Sequence, residues 1–312
     1  MTIAPIKPLL VIFGPTASGK SELALKLAAR FDGEIVNCDS VQIYRDFNIG
    51  SAKLAPAERR GIPHHLIDMA GARDHFTAGD YSRLAREALA VISNRNKLPI
   101  VCGGTGFYLR ALLDGLSPAP ARSHTLRERL SHIARSRRES LHRLLRRADP
   151  QTAARIHAND HQKLIRAIEM AYLERTVTSE IQSRPRDPLT GYEILKIGLN
   201  PDRKELYKRL DARSEEMFAR GLVEETRSLL QQGYEPDSKP MQSLGYRQAL
   251  AVLSGAETLD AAIRLCQTKT RQYAKRQMTW FRSESNVHWL QGFGSDPEVV
   301  EEAVGLVTSS RY

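Results

Sequence analysis

Apolar positions fall in short unbroken runs early in the chain and take up a helical rhythm further on. Leu9–Phe13 (LLVIF) runs directly into Gly14, which predicts a strand buried on both faces of a parallel sheet. Leu23 and Leu27 recur at helical spacing between Glu22 and Arg30. Glu34–Cys38 predicts a second strand closing on Asp39, Thr77–Asn94 a helix, and Leu98–Cys102 a third buried strand. Strand and helix in alternation imply an α/β core on a parallel sheet, with ligand sites at the carboxyl ends of the strands. After Leu116 the rhythm changes. Pro118 and Pro120 interrupt the chain, arginine-rich helical text runs from His124 to about Glu180, and Pro185 and Pro188 close it. Tyr192–Leu199 (YEILKIGL) predicts a return to the sheet. The expected organisation is a core of residues 1–117 and 193–312 with a helical insertion at 118–192. From Asp202 the text is mostly helical, with one long helix expected over Arg203–Gln232 and a short late strand near His288–Leu290.

Composition narrows the class. A chain of 312 residues with 41% hydrophobic and 26% charged residues is an ordinary globular protein. No apolar run approaches the roughly 20 residues of a membrane span, and Met1–Pro8 lacks a signal-type apolar region. Cys38, Cys102 and Cys266 lie far apart with no CxxC, so neither a disulfide framework nor a zinc site is expected. The chain reads as cytoplasmic, with reduced thiols. Its net charge of +10 suits a polyanionic partner. Nine arginines lie between Arg122 and Arg147 against only Glu128 and Glu139, which reads either as a phosphate-gripping surface or as a solvated helix face.

Gly14, Pro15, Thr16, Ala17, Ser18, Gly19, Lys20 and Ser21 fit G-x-x-x-x-G-K-[ST] between a predicted strand and a predicted helix. Glycines there let amides turn onto phosphate oxygens, Lys20 neutralises them, and the Ser21 hydroxyl is placed to ligate Mg²⁺. The core is therefore P-loop NTPase-like, although no apolar strand ending in Asp-Glu, as hydrolytic motors carry, is present. Asp39 at a strand's carboxyl end is either a proton acceptor for a substrate or a turn-forming cap. Gly103-Gly104-Thr105-Gly106 is either a ligand-facing loop or a strand-to-helix turn capped by Thr105. Arg213 lies within the apolar row of its helix and either snorkels outward or faces an anion. The histidine pairs His64/His65 and His157/His161 have no third ligand motif and read as structural. Gln242–Arg247 and Lys269–Arg282 mix basic and aromatic residues, as single-stranded RNA binders do, although burial of Trp280 and Phe281 against the sheet is the expected fate of those two.

Taken in order, GPTASGKS, DSVQIY, IGSAK (49–53), PHHLID (63–68), GGTGFYL, NDHQKLIRAIE (159–169), QSLGYRQ and QYAKRQMTWFR resemble the tRNA dimethylallyltransferases over nearly the whole chain. The resemblance implies transfer of a dimethylallyl group from its diphosphate to N6 of the adenine at tRNA position 37, with Mg²⁺ as cofactor and a monomeric enzyme. It implies that the P-loop holds the diphosphate, that Asp39 is the general base, and that Lys20 and Arg213 steady the leaving group. It further implies tRNA contacts from Asp39, Ser40, Val41 and Gln42, from Thr105 and Arg127, from Gln162, Lys163, Leu164, Ile165 and Arg166, and from Gln242, Ser243, Leu244, Gly245, Tyr246 and Arg247. The anticodon stem would lie against the arginine-rich insertion. A P-loop kinase for a small metabolite, or an RNA-binding module using the P-loop as a switch, are the rival readings. The first has no use for the basic insertion, and the second predicts binding without turnover.

Overall fold

The computed structural model describes residues 6–136 and 139–310. The chain opens with β1 (Lys7–Phe13), α1 (Lys20–Arg30), β2 (Gly33–Asn37), β3 (His64–His65), α2 (Ala78–Asn94), β4 (Leu98–Gly103) and α3 (Gly106–Leu113). Five helices follow: α4 (His124–Ser136), α5 (Ser140–Ala148), α6 (Pro150–Ala153), α7 (His161–Glu174) and α8 (Thr178–Ser183). The chain then returns through β5 (Tyr192–Leu199), α9 (Arg203–Ala219), α10 (Leu222–Gln231), α11 (Tyr246–Leu253), α12 (Leu259–Phe281), β6 (Val287–Leu290) and α13 (Pro297–Ser309).

Two compact units result, Met1–Leu113 with Leu189–Tyr312, and Asp114–Pro188. They part slightly before the residues 117 and 193 suggested by the prolines. The Leu189 amide donates to the Leu113 carbonyl at 2.8 Å, which ties the two chain passes together inside the first unit.

The first unit is built on a six-stranded sheet in the order β3-β2-β4-β1-β5-β6, with every pairing parallel. Leu9–Phe13 is fully buried because both faces of the sheet are covered. On one face Leu10, Ile12, Ile100 and Ile197 join Leu23 and Leu27 of α1 and Val299 and Val307 of α13 in one core cluster. Elsewhere Phe13 stacks on Phe281 of α12, ring centroids 4.8 Å apart. Phe281 is thus buried as expected, while Trp280 is only half-buried, with the Arg110 guanidinium 4.8 Å above its ring. The helix expected over Arg203–Gln232 is two helices. Gly221 takes φ 95° between α9 and α10, a left-handed conformation that ends the first helix.

The second unit is all-helical. Leu130, Leu141, Leu145, Leu164 and Ile165 form its apolar centre. Two buried carboxylates organise it. Asp149 accepts from the amides of Thr152 and Ser179, both at 2.9 Å. Glu169, with no exposed surface, accepts from the Ser123 amide at 2.8 Å, from Arg127 at 3.1 Å and from Arg166 at 2.7 Å. Burial opposes ionisation of Glu169, but the Arg166 bond, the Ser123 amide and the Arg127 charge outweigh it and hold the carboxyl below its ordinary value.

Candidate active site

Strand register brings three loops to one edge. β4 lies between β1 and β2, and the ladders pair Phe13 with Gly103 and Asn37 with Cys102. The chain therefore leaves all three strands side by side, into the P-loop, Cys38–Asp39 and Gly104–Thr105. The loops are stitched together at once: the Cys38 amide donates to the Cys102 carbonyl at 2.8 Å, and the Thr105 amide to the Cys38 carbonyl at 3.1 Å. Gly103 is required there, because a Cβ on it would stand 2.1 Å from the Cys38 carbonyl oxygen.

The P-loop is held open by backbone in unusual conformations. Ala17 (φ 62°) and Gly19 (φ 84°) are left-handed, which turns neighbouring amides inward as an anion nest. Ala17 pays about 1–3 kcal/mol for this, a cost typical of functional loops. The turn after β6 braces the loop from outside, the Gly294 amide donating to the Ser18 carbonyl at 2.9 Å. A side chain on Gly19 would strike Gly294, its Cβ lying 2.8 Å from that residue's nitrogen. The Ser18 hydroxyl is fully buried without a hydrogen-bond partner among the described residues. Lys20 folds back to donate to the Pro15 carbonyl at 2.7 Å. Burial pushes its amine down to about 8, with Cys102 and Asp39 opposing the fall and Arg213 adding to it. Ser21, exposed at the start of α1, makes no hydrogen bond through its hydroxyl among the described residues.

Asp39 lies two residues beyond β2 rather than at its end. Its Oδ1 accepts from the amides of Val41 (2.8 Å) and Gln42 (3.2 Å), so the turn-forming role is real. Oδ2 has no partner among the described residues and is left for the cavity that Asp39 lines. Thr105 does not cap α3 with its hydroxyl; Oγ1 accepts from the Ser40 amide at 3.1 Å and so fixes the loop that carries Asp39.

That cavity, of about 360 Å³, lies wholly within the first unit. Thr16, Asp39, Ser40 and Val41 line it together with Leu210, Arg213 and Met217 of α9, Gln242–Gly245, and Cys266, Thr270 and Tyr273 of α12. Arg213 thus faces inward and makes no ion pair or hydrogen bond with a protein acceptor among the described residues. Burial pulls its guanidinium below its ordinary value, with Asp39 the first of the groups that oppose this. The Tyr273 hydroxyl is pushed up by burial and by the Asp39 charge. An unpartnered guanidinium on the cavity wall, with an orphaned hydroxyl and a depressed lysine in the P-loop whose Thr16 borders the same cavity, is an arrangement suited to an anion.

Two further residues shape the cavity without having been singled out in the sequence. Glu225 of α10 accepts from the amides of Ile49 (2.9 Å) and Gly50 (3.4 Å) and from the Tyr246 hydroxyl (2.6 Å), which fixes the Gly50–Ser51 wall. Gln277 of α12 bridges the P-loop and Gly104. The first sits in text that reads only as an amphipathic helix, and the second lies within QYAKRQMTWFR but is a neutral amide among basic and aromatic residues, so neither stood out individually.

The residues expected to touch tRNA divide by exposure. Gln242 and Arg247 are exposed, whereas Tyr246 is fully buried and its hydroxyl is engaged by Gly50 and Glu225. Gln42 reaches the Ser51 carbonyl at 3.1 Å. In the second unit Gln162 and Lys163 are exposed, but Leu164 and Ile165 belong to the core, and Arg127 and Arg166 are paired with Glu169. Burial thus makes Tyr246, Leu164 and Ile165 packing positions. Arg129, Arg135, Arg143, Arg146 and Arg147 are exposed and form no ion pair among the described residues; Arg137 and Arg138 lie outside those residues. His64 and His65 bond the Ile62 carbonyl and Glu34 along the sheet edge.

Comparison with known proteins agrees with this geometry. Residues 42–284 match the family described as IPP transferase. The chain is 55% identical to a tRNA dimethylallyltransferase of Solibacter usitatus, covering 96% of this chain and 98% of that protein. It is 52% identical to one of Koribacter versatilis, covering 97% and 98%. Among solved structures it is similar to the full-length tRNA isopentenylpyrophosphate transferase of Bacillus halodurans (34% identity, TM-score 0.71, 97% of each chain). It is also similar to a eukaryotic dimethylallyltransferase studied acting on tRNA (27% identity, TM-score 0.80, 98% of this chain and 80% of that one). With a P-loop, an unpartnered arginine and a carboxylate gathered on one cavity, the chain belongs to the IPP transferase family, the tRNA dimethylallyltransferases.

Proposed function

We propose that this chain transfers the dimethylallyl group of dimethylallyl diphosphate to N6 of the adenine at position 37 of tRNA, beside the anticodon. The observation that carries the reading is the convergence of Thr16 of the P-loop, Arg213 and Asp39 on one cavity. P-loop amides, the Ser18 hydroxyl and Lys20 would hold the diphosphate, with Arg213 on its other side. The adenine N6 lone pair attacks C1 of the allyl group as the C1–O bond breaks, and that electron pair leaves with the diphosphate. The N6 proton passes to Asp39 Oδ2. Lys20 and Arg213, both desolvated by burial, offset the charge that grows on the leaving group.

The residues fit a divalent metal carried in by the diphosphate. Ser21 offers a free hydroxyl, while no group of three or more His, Cys, Asp or Glu side chains among the described residues could cage an ion alone. Mg²⁺ suits such a place, since it keeps waters and takes phosphate oxygens. When bound it would neutralise charge on the departing diphosphate.

The target adenine must leave its loop stack to enter the cavity, which costs a few kcal/mol. Ser40, Val41, Thr105, Gln242 and Arg247 would meet the anticodon loop. Gln162, Lys163 and the exposed arginines of the second unit would take backbone phosphates of the stem. No helix among the described residues is long and apolar enough to cross a membrane, and the proposal includes a monomeric enzyme working in the cytoplasm. Incubation with labelled dimethylallyl diphosphate and unmodified tRNA, followed by nucleoside analysis, tests the reading. Label on one adenosine per tRNA supports it; ATP-dependent phosphorylation of a small metabolite with no label in tRNA supports the kinase alternative.

A further inference from the structure

We infer that Gln277 is a positioning residue that sets the spacing between the diphosphate loop and the general base. The inference rests on the proposed roles of the P-loop and Asp39. Gln277 is 7% exposed and projects from α12 between two loops that follow adjacent strands. Its Oε1 accepts from the Thr16 amide at 2.9 Å, and its Nε2 donates to the Gly104 carbonyl at 2.8 Å. The connection continues beyond Gly104. Thr105 donates its amide to the Cys38 carbonyl at 3.1 Å and accepts the Ser40 amide on Oγ1 at 3.1 Å. Those two bonds flank Asp39 on both sides along the chain. One carboxamide thus joins the loop that holds the leaving group to the loop that fixes the base.

The bridge demands this side chain. Thr16 presents a donor and Gly104 an acceptor, so the residue between them must accept at one end and donate at the other, which a neutral amide does. Space is as tight as the chemistry: a Cβ on Gly104 would stand 2.5 Å from Nε2. Tyr273, one helical turn earlier on α12 and lining the cavity, also interacts with Gln277 through its hydroxyl. A small change in this bridge would alter the in-line distance from the diphosphate-anchored carbon to the amine held by Asp39. Misplacement by about 1 Å can cost on the order of 10²-fold in rate without loss of binding.

Gln277→Glu is the informative variant, because it keeps the shape and makes the bridge titratable. Ionised, the new carboxylate sets an acceptor against the Gly104 carbonyl; protonated, it donates as the amide does. Burial raises a carboxyl's pKa, so recovery is expected between about pH 5 and 7, and division by the wild-type rate removes any titration that the two enzymes share. Single-turnover rates at saturating tRNA and dimethylallyl diphosphate, divided by wild-type rates at each pH, should fall roughly 10- to 100-fold at about pH 8. They should climb back toward one as the pH falls. KM for dimethylallyl diphosphate should change by less than about threefold. Gln277→Met, which cannot bridge at any pH, should be slow throughout. A pH-independent rate ratio near one for Gln277→Glu would overturn the inference, even if both variants melt at lower temperature. Lys20→Ala and Asp39→Asn, assayed alongside, separate the two levels. If they lose activity while the Gln277 variants keep it, only this inference fails; if they keep activity, the underlying site assignment fails as well.

Discussion

Lys20 gives the anion site a pH signature. In the empty protein burial pushes its amine down to about 8, so near pH 9 most molecules carry it neutral. A diphosphate ester is fully ionised there, and its charge would return the amine to about 10.4 or above. The bound form is then the protonated form, and raising the pH depletes the state that binds. The protonated fraction of the free protein falls from about nine-tenths at pH 7 to about one-tenth at pH 9, so the dissociation constant should rise about tenfold. Binding near pH 9 should take up close to one proton. Calorimetric titration with a non-transferable dimethylallyl diphosphate analogue, in two buffers of different ionisation heat, reads both quantities. Lys20→Met should bind weakly, with a flat profile and no uptake from this group. A wild-type constant unchanged between about pH 7 and 9, or uptake that survives in Lys20→Met, would refute the placement of this lysine on the anion.

The second unit makes two further predictions. Replacing Arg135, Arg146 and Arg147 together should reduce the slope of log affinity for tRNA against log salt by about 2–3, with dimethylallyl diphosphate affinity unchanged; an unchanged slope would leave these residues as a solvated helix face. Glu169→Gln leaves Arg127 and Arg166 without their shared countercharge and should cost about 3–5 kcal/mol, read by denaturant unfolding. Because the folded-state pKa of Glu169 is depressed, its contribution is present at neutral pH and lost as the pH falls through that value, so wild type but not Glu169→Gln should lose this increment in acid.

Most of the sheet was legible because parallel strands buried on both faces are continuous apolar runs. Leu98–Gly103 and Tyr192–Leu199 could be placed to within a residue on that ground. β3 was not legible, since two residues, His64 and His65, carry no period. The join of α9 to α10 was hidden because apolar spacing continues across Gly221, and only its positive φ breaks the helix. At the site, chemistry-bearing residues stood out and their supports did not. Asp39, Lys20 and Arg213 are charged residues in marked positions, while Gln277 and Glu225 act through backbone groups that a sequence does not display. Charge was also easier to see than pairing. Arg127 and Arg166 look like their exposed neighbours until the fold buries Glu169 between them.

The central claim is that Asp39 removes the N6 proton during transfer, and Asp39→Asn tests it with little ambiguity. The substituted amide keeps an oxygen where Oδ1 accepts from Val41 and Gln42, so the turn should survive and the melting temperature should move little. What is lost is the basic Oδ2. General-base assistance is typically worth on the order of 10²–10⁴ in rate, and the effect belongs to the transition state rather than to binding. Single-turnover prenylation at saturating tRNA and dimethylallyl diphosphate should therefore fall by about that factor, with both dissociation constants close to wild type. A folded Asp39→Asn enzyme that transfers at a near wild-type single-turnover rate would contradict the account.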